Sequence, residues 1–157
     1  MALKDKYSKT VHKFGAGRIR KGGLEKIKGR KPKEGTNVLQ TLRLGLLHLE
    51  VNHGDLEANR HRLIFHAEKA AQAGARLIVA PELAVSGYSF ESRAHVSRYT
   101  EVITGETFEG LSSVARRYGV YLCAGIAEKD SQTNIFYNSA LMIGPDGRLV
   151  GHHRKIV

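Results

Sequence analysis

Among the side chains of types that acid–base and nucleophilic chemistry use, three are placed to draw notice: the carboxylate of Glu82, the ammonium of Lys155 and the lone thiol of Cys123. Glu82 stands in APELAVSGYSF (80–90), two residues beyond the end of the apolar run RLIVA (76–80). If that run is a buried strand, Glu82 projects from its carboxyl end, where open α/β sheets usually display catalytic groups on a rigid scaffold. The plainer alternative is a solvated loop glutamate, and position alone favours it. Lys155 closes the basic stretch His152, His153, Arg154, Lys155, and taken alone it reads as a solvated cation. Cys123 lies within VYLCAGI, where every neighbour is apolar or small. Cysteines in such strands are usually inert core residues, because apolar surroundings keep the thiol protonated.

Glu128 follows the run VYLCAGIA (120–127) and could reach a pocket at the same end of a sheet, although an acid beside Lys129 and Asp130 also suits an exposed loop. The eight histidines show no HExxH or other ligand spacing, and His152 and His153 would point to opposite faces of a strand, so no metal site is expected.

The elements that must carry these residues follow from periodicity. LRLGLLHLEV (42–51) is apolar at nearly every position and too short for a core helix, which predicts a strand covered on both faces. Over 56–73, Leu56, Leu63, Ile64, Ala67, Ala70 and Ala71 recur at helical spacing, with Asp55 placed to cap and Gly74 to stop. RLIVA predicts a second strand, ended by Pro81. A helical stripe of Phe108, Leu111, Val114, Ala115 and Tyr118 closes at Gly119, and 120–127 is the next strand. IFYNSALMI and RLVGHHRKIV then flank Gly144, Pro145, Asp146 and Gly147, a turn signal joining two antiparallel strands. Strand, helix, strand, helix, strand and hairpin together predict an α/β fold with helices packed on a mostly buried sheet.

Charge divides the chain. Twelve of the 25 Lys and Arg residues fall within the first 34 positions against Asp5, Glu25 and Glu34, a local excess of +9 that leaves about +1 for the remainder. Residues 1–36 are expected to form a basic, disordered tail, because too few large apolar side chains offset the entropy of ordering them. Residues 37–157 are expected to form one folded portion. The tail could bind phosphates, but it holds only Tyr7 and Phe14 as aromatics, so nucleic-acid binding is not the favoured reading. One cysteine excludes an intrachain disulfide. No apolar run reaches the roughly 18 residues of a membrane span, and a cytoplasmic location without membrane contact is expected.

Three stretches in this order, together with the spacing between them, resemble the nitrilase superfamily of carbon–nitrogen hydrolases: the opening strand followed by GDLEAN, LIVAPELAVSGY, and the hairpin YNSALMIGPDGRLVGHHRK, over positions 42–156. The resemblance implies a four-layer αββα sandwich, of which this chain would supply the N-terminal half. It implies Glu82 as general base and Lys155 as the cation that stabilises an anionic tetrahedral intermediate, with Tyr88 of the G-Y pair lining the substrate site. The family's nucleophilic cysteine follows that lysine, whereas no cysteine follows position 123 here, so the chain by itself is expected to be inactive. The implied reaction is hydrolysis of a small, non-peptide amide or nitrile through a thioester, with neither metal nor organic cofactor, in a homo-oligomer. A catalytically inactive binding or assembly module is the alternative. A half sandwich would also leave an apolar sheet face uncovered, a surface that favours association.

Overall fold

The computed structural model describes residues 41–156, so the basic tail expected over 1–36, and the boundary after it, lie outside the described residues. Five strands form one sheet in the order β1 (Leu44–Leu46), β2 (Leu77–Val79), β3 (Tyr121–Lys129), β4 (Phe136–Ile143) and β5 (Leu149–Arg154). The β1–β2 and β2–β3 pairs are parallel, and β3–β4 and β4–β5 are antiparallel. The parallel pairs require crossovers, and helices supply them: α1 (Leu56–Gln72) in the first, and α2 (Arg93–Val96) with α3 (Glu106–Tyr118) in the second.

Helix α1 begins where the Asp55 carboxylate accepts from the Ala58 amide, and α3 ends on Gly119 at φ 62°, the left-handed geometry that glycine adopts without steric cost. The buried stripes of both helices, Leu63, Ala67 and Ala71 on α1 with Leu111, Val114 and Ala115 on α3, meet Ile78, Leu122, Ala124, Ile126, Leu141 and Ile143 in one core. These strand residues alternate with their neighbours along each strand, so they share one face of the sheet. The opposite face presents Leu44 and Leu46 of β1, Tyr121 and Cys123 of β3, and Met142 of β4, partly or largely exposed among the described residues.

Strand β1 departs from the expectation of a ten-residue strand buried on both faces. It spans three residues, and Leu44 and Leu46 are exposed while Gly45 is half-buried. The apolar run is followed by an alternation in which Leu47 and Leu49 pack against the core while His48 and Glu50 face outward. The cause is the missing cover on one face: β1 meets α1 through Gly45, while among the described residues nothing is layered on the other face, where Leu44 and Leu46 stand exposed together with Tyr121 of β3. A methyl group at Gly45 would lie 3.2 Å from the Cβ atoms of Ala70 and Ala75, so glycine permits that close approach. The short helix α2, capped where Ser92 Oγ accepts from the His95 amide, has too few turns to leave a periodic signal in the sequence.

Candidate active site

Glu82 follows β2 in a turn that crosses over the middle of β3. Three hydrogen bonds pin this crossing: Ala80 N–H donates to Cys123 O (2.8 Å), Gly125 N–H to Pro81 O (3.1 Å) and Ala84 N–H to Gly125 O (2.9 Å). A Cβ at Gly125 would stand 2.5 Å from Glu82 Cα, so the absence of a side chain there lets the turn lie on the strand. Leu83, the next residue, takes a left-handed backbone at φ 45°, unusual for a non-glycine residue and held by burial of its side chain. From the other side, the buried Asn59 of α1 donates to Val85 O (2.9 Å) and Asn52 O (2.7 Å) and accepts from the Asn52 amide (2.9 Å). One amide side chain thus ties the first helix to the loop after β1 and to the turn that carries Glu82.

Three donors converge on the Glu82 carboxylate. Lys155 Nζ lies 3.0 Å from Oε1, Asn138 Nδ2 donates to the same oxygen, and Tyr88 Oη donates to Oε2 at 3.0 Å. These bonds, Lys155 foremost, then Asn138 and Tyr88, hold the carboxyl below its ordinary pKa against the opposing effect of burial. Burial in turn pushes the Tyr88 hydroxyl up, helped by the adjacent carboxylate. The side chains of Lys155 and Glu82 are 59% and 40% exposed, so among the described residues the cluster is open rather than enclosed.

The structure therefore brings together Glu82, Lys155 and Tyr88, which the sequence singled out, and adds Asn138, which it did not. The signal for Asn138 lay in the hairpin register. Asn138 stands opposite both Ala127 on β3 and Lys155 at the end of β5, whose amide donates to Asn138 O at 2.8 Å, so the two side chains share a face.

Glu128 does not join them. Expected at the substrate pocket or in an exposed loop, it is instead the penultimate residue of β3, 2% exposed, on the helix-covered face with Ile126. Its carboxylate accepts from Ser139 Oγ (2.5 Å), His152 Nε2 (2.8 Å) and Arg154 Nη2 (2.6 Å). Burial alone would raise its pKa, but the hydrogen bonds from Arg154, Ser139 and His152 outweigh that and pull it to about 2. A carboxylate so engaged has no oxygen to offer a substrate.

Cys123 sits on the open face of β3, level with Val79 and Met142, and burial pushes its thiol pKa up. A thiol needs the opposite perturbation to act as nucleophile at neutral pH. Among the described residues, no group of three or more His, Cys, Asp and Glu side chains could hold a metal ion, and no helix is long and apolar enough to cross a membrane. A recess of about 800 Å³ between α1 and the residues leading into α3, lined by Arg60, Ile64, Glu101 and Val102 among others, shares no residue with the Glu82 cluster.

The family model for carbon–nitrogen hydrolases matches residues 43–157. A nitrilase from Pyrococcus abyssi is 47% identical over 90 residues, covering 57% of this chain and 33% of that protein. The human omega-amidase NIT2 is 33% identical over 119 residues, covering 75% of this chain and 41% of its own length. Among solved structures, Saccharomyces cerevisiae Nit3, a member of branch 10 of the nitrilase superfamily, superposes with a TM-score of 0.65 at 28% identity, over 74% of this chain and 44% of that one. An N-terminal amidase superposes equally well, with a TM-score of 0.65 at 27% identity over 73% and 28% of the two chains. The chain thus spans less than half the length of the relatives it matches. With its α/β half sandwich and with Glu82 and Lys155 paired at one end of the sheet, the chain belongs to the carbon–nitrogen hydrolase family of the nitrilase superfamily.

Proposed function

We propose that these residues form the general-base and oxyanion side of a site that hydrolyses a small, non-peptide amide or nitrile, with the nucleophilic cysteine contributed by polypeptide outside the 157 residues. The observation that carries this reading is the 3.0 Å contact between Lys155 Nζ and Glu82 Oε1, completed by Asn138 and Tyr88.

For an amide, Glu82 takes the proton of the attacking thiol as the S–C bond forms, and the carbonyl π electrons move onto oxygen. Lys155 donates to that oxygen, a contribution on the order of 3 kcal/mol for one well-aimed donor. The tetrahedral intermediate collapses as the C–N bond breaks, and the proton held by Glu82 leaves with ammonia. Water then attacks the thioester, again giving its proton to Glu82, and the carboxylic acid and free thiol are released. Glu82 held at low pKa by three donors is a weak base. As Lys155 turns toward the developing oxyanion, the carboxylate loses its strongest partner and its basicity rises at the moment a proton must be taken. This coupling gives the pair a role beyond that of two independent groups.

The reading includes a cytoplasmic location, supported by a lone cysteine that offers no intrachain disulfide, and a homo-oligomer, which the family resemblance implies. It is tested by ammonia release from a panel of small amides and nitriles, using polypeptide that continues past Val157. The expected result is turnover that survives Cys123→Ala, is lost in Glu82→Gln, and leaves a trapped acyl adduct on a cysteine beyond these residues. Turnover by the 157-residue chain that Cys123→Ala abolishes would overturn it. A second reading, a catalytically inactive binding or assembly module, is favoured by one observation: the sole cysteine is the unactivated Cys123. Absence of turnover in every extended form, with cooperative folding retained, would select it.

A further inference from the structure

Two carboxylates stand back to back across the same three strands. On the open face, Glu82 is met by Asn138 and Lys155, and on the helix-covered face, Glu128 is met by Ser139 and Arg154. The partners are sequence neighbours, because consecutive strand residues point to opposite faces. The ladder is in register at this level, with Ile126 opposite Ser139 and Ser139 opposite Arg154.

Lys155 lies one residue past the end of β5, which among the described residues has a neighbour on one side only. A strand end at a sheet edge frays readily unless something fixes it. Arg154, immediately before it, is fixed on several sides. Its Nη2 reaches Glu128 Oε1 and Asp130 Oδ2, each at 2.6 Å, its Nε lies 3.3 Å from Glu128 Oε2, and its guanidinium covers the Tyr137 ring at 4.0 Å. His152, two residues earlier on the same face, holds the second Glu128 oxygen at 2.8 Å. A slip of β5 by one residue would exchange the faces of Arg154 and Lys155 and break every one of these contacts.

We propose that Glu128, acting through Arg154, is a positioning residue for the active site: it locks the register and the terminus of β5 so that Lys155 meets Glu82. The inference rests on the reading of Glu82 and Lys155 as a working pair, but its test reads ionisation and not turnover. The clamp can therefore fail while hydrolysis stands, and hydrolysis can fail while the clamp stands.

The experiment is a titration of the Glu82 side-chain carboxyl by carbon-detected NMR in the full 157-residue chain, compared with Glu128→Gln and Arg154→Lys. The two possible effects of Glu128→Gln have opposite signs. Removing a negative charge from across the sheet would by field alone ease ionisation of Glu82 and move its midpoint down. Releasing Lys155 removes the main donor that keeps it low and moves the midpoint up. The expected result is an upward shift in Glu128→Gln, reproduced by Arg154→Lys, which preserves charge and loses only the forked geometry. Ser139→Ala, which leaves the Arg154 fork in place, is expected to leave the Glu82 titration where it was. An unchanged or downward-shifted midpoint in folded Glu128→Gln would overturn the proposal. If Glu128→Gln does not fold, an unshifted midpoint in Arg154→Lys overturns it equally.

Discussion

A single methyl group added at Gly125 tests whether the turn over β3 places Glu82. In the native packing that methyl would stand 2.5 Å from Glu82 Cα and 2.8 Å from Leu83 N, all backbone atoms that cannot rotate away. Comfortable contact begins near 3.5 Å, so the turn must retreat by about 1 Å. Retreat lengthens the bonds from Gly125 N–H to Pro81 O and from Ala84 N–H to Gly125 O, now 3.1 and 2.9 Å. Overpacking of this kind costs about 1–3 kcal/mol, and weakening one backbone hydrogen bond adds about 1 kcal/mol. The smaller conformational freedom of alanine in the unfolded chain returns roughly 0.5 kcal/mol. Gly125→Ala should therefore destabilise the fold by about 1.5–3.5 kcal/mol, a fall in Tm on the order of 10 °C for a domain of this size. The same displacement draws the Glu82 carboxylate from Lys155 and Asn138, so its NMR titration should move up from its depressed position. Thermal melts followed by circular dichroism and the carboxyl titration check both effects. A variant that melts within a degree or two of the parent, with Glu82 titrating as before, would show that the turn does not depend on contact with β3.

Asn59→Ala removes the side chain that bridges α1, the loop after β1 and the Glu82 turn, leaving the Val85 carbonyl without its donor; urea denaturation should report a loss of about 3 kcal/mol. Lys155→Met should raise the Glu82 titration midpoint and, in an active extended form, lower kcat by on the order of 10²–10³ with a smaller effect on KM. Tyr88→Phe removes a weaker donor and should move Glu82 in the same direction by less. The Glu128 carboxyl, at about 2 in the fold against 4.5 as its ordinary value, contributes stability that is present above pH 4.5 and lost as pH falls toward 2. Melts across that window should show a steeper acid loss in the parent than in Glu128→Gln.

The chain's elements were legible because each carries its own period. Leu63, Ala67 and Ala71 mark the buried stripe of α1 from sequence spacing alone, and Gly119 ends α3 in a left-handed conformation that side chains rarely adopt. The hairpin turn at Gly144–Gly147 joins β4 and β5 as its glycines and proline predict. Strand β1 was misjudged because an apolar run does not reveal how many of its residues will pair or whether both of its faces will be covered. Among the described residues only three pair with β2, and only one face meets a helix. Glu128, expected as an exposed loop acid or at the pocket, is not in a loop. The residue after an apolar run can leave the sheet or continue in it, and here β3 runs on through Lys129.

The sequence by itself determined the order of the strands and of the two long helices, the presence of a carboxylate just past β2 and of an ammonium at the end of β5, and the lack of any cysteine between position 123 and Val157. It did not determine that Glu82 and Lys155 meet, that Asn138 joins them, or that Glu128 is buried behind them. Those facts depend on register between strands far apart in the chain, and a shift of one residue reverses the face of every side chain on a strand. Local propensity is unaffected by such a shift. The choice between registers is made by the packed core on one face and the Glu128–Arg154 lock, and both exist only once the sheet has assembled.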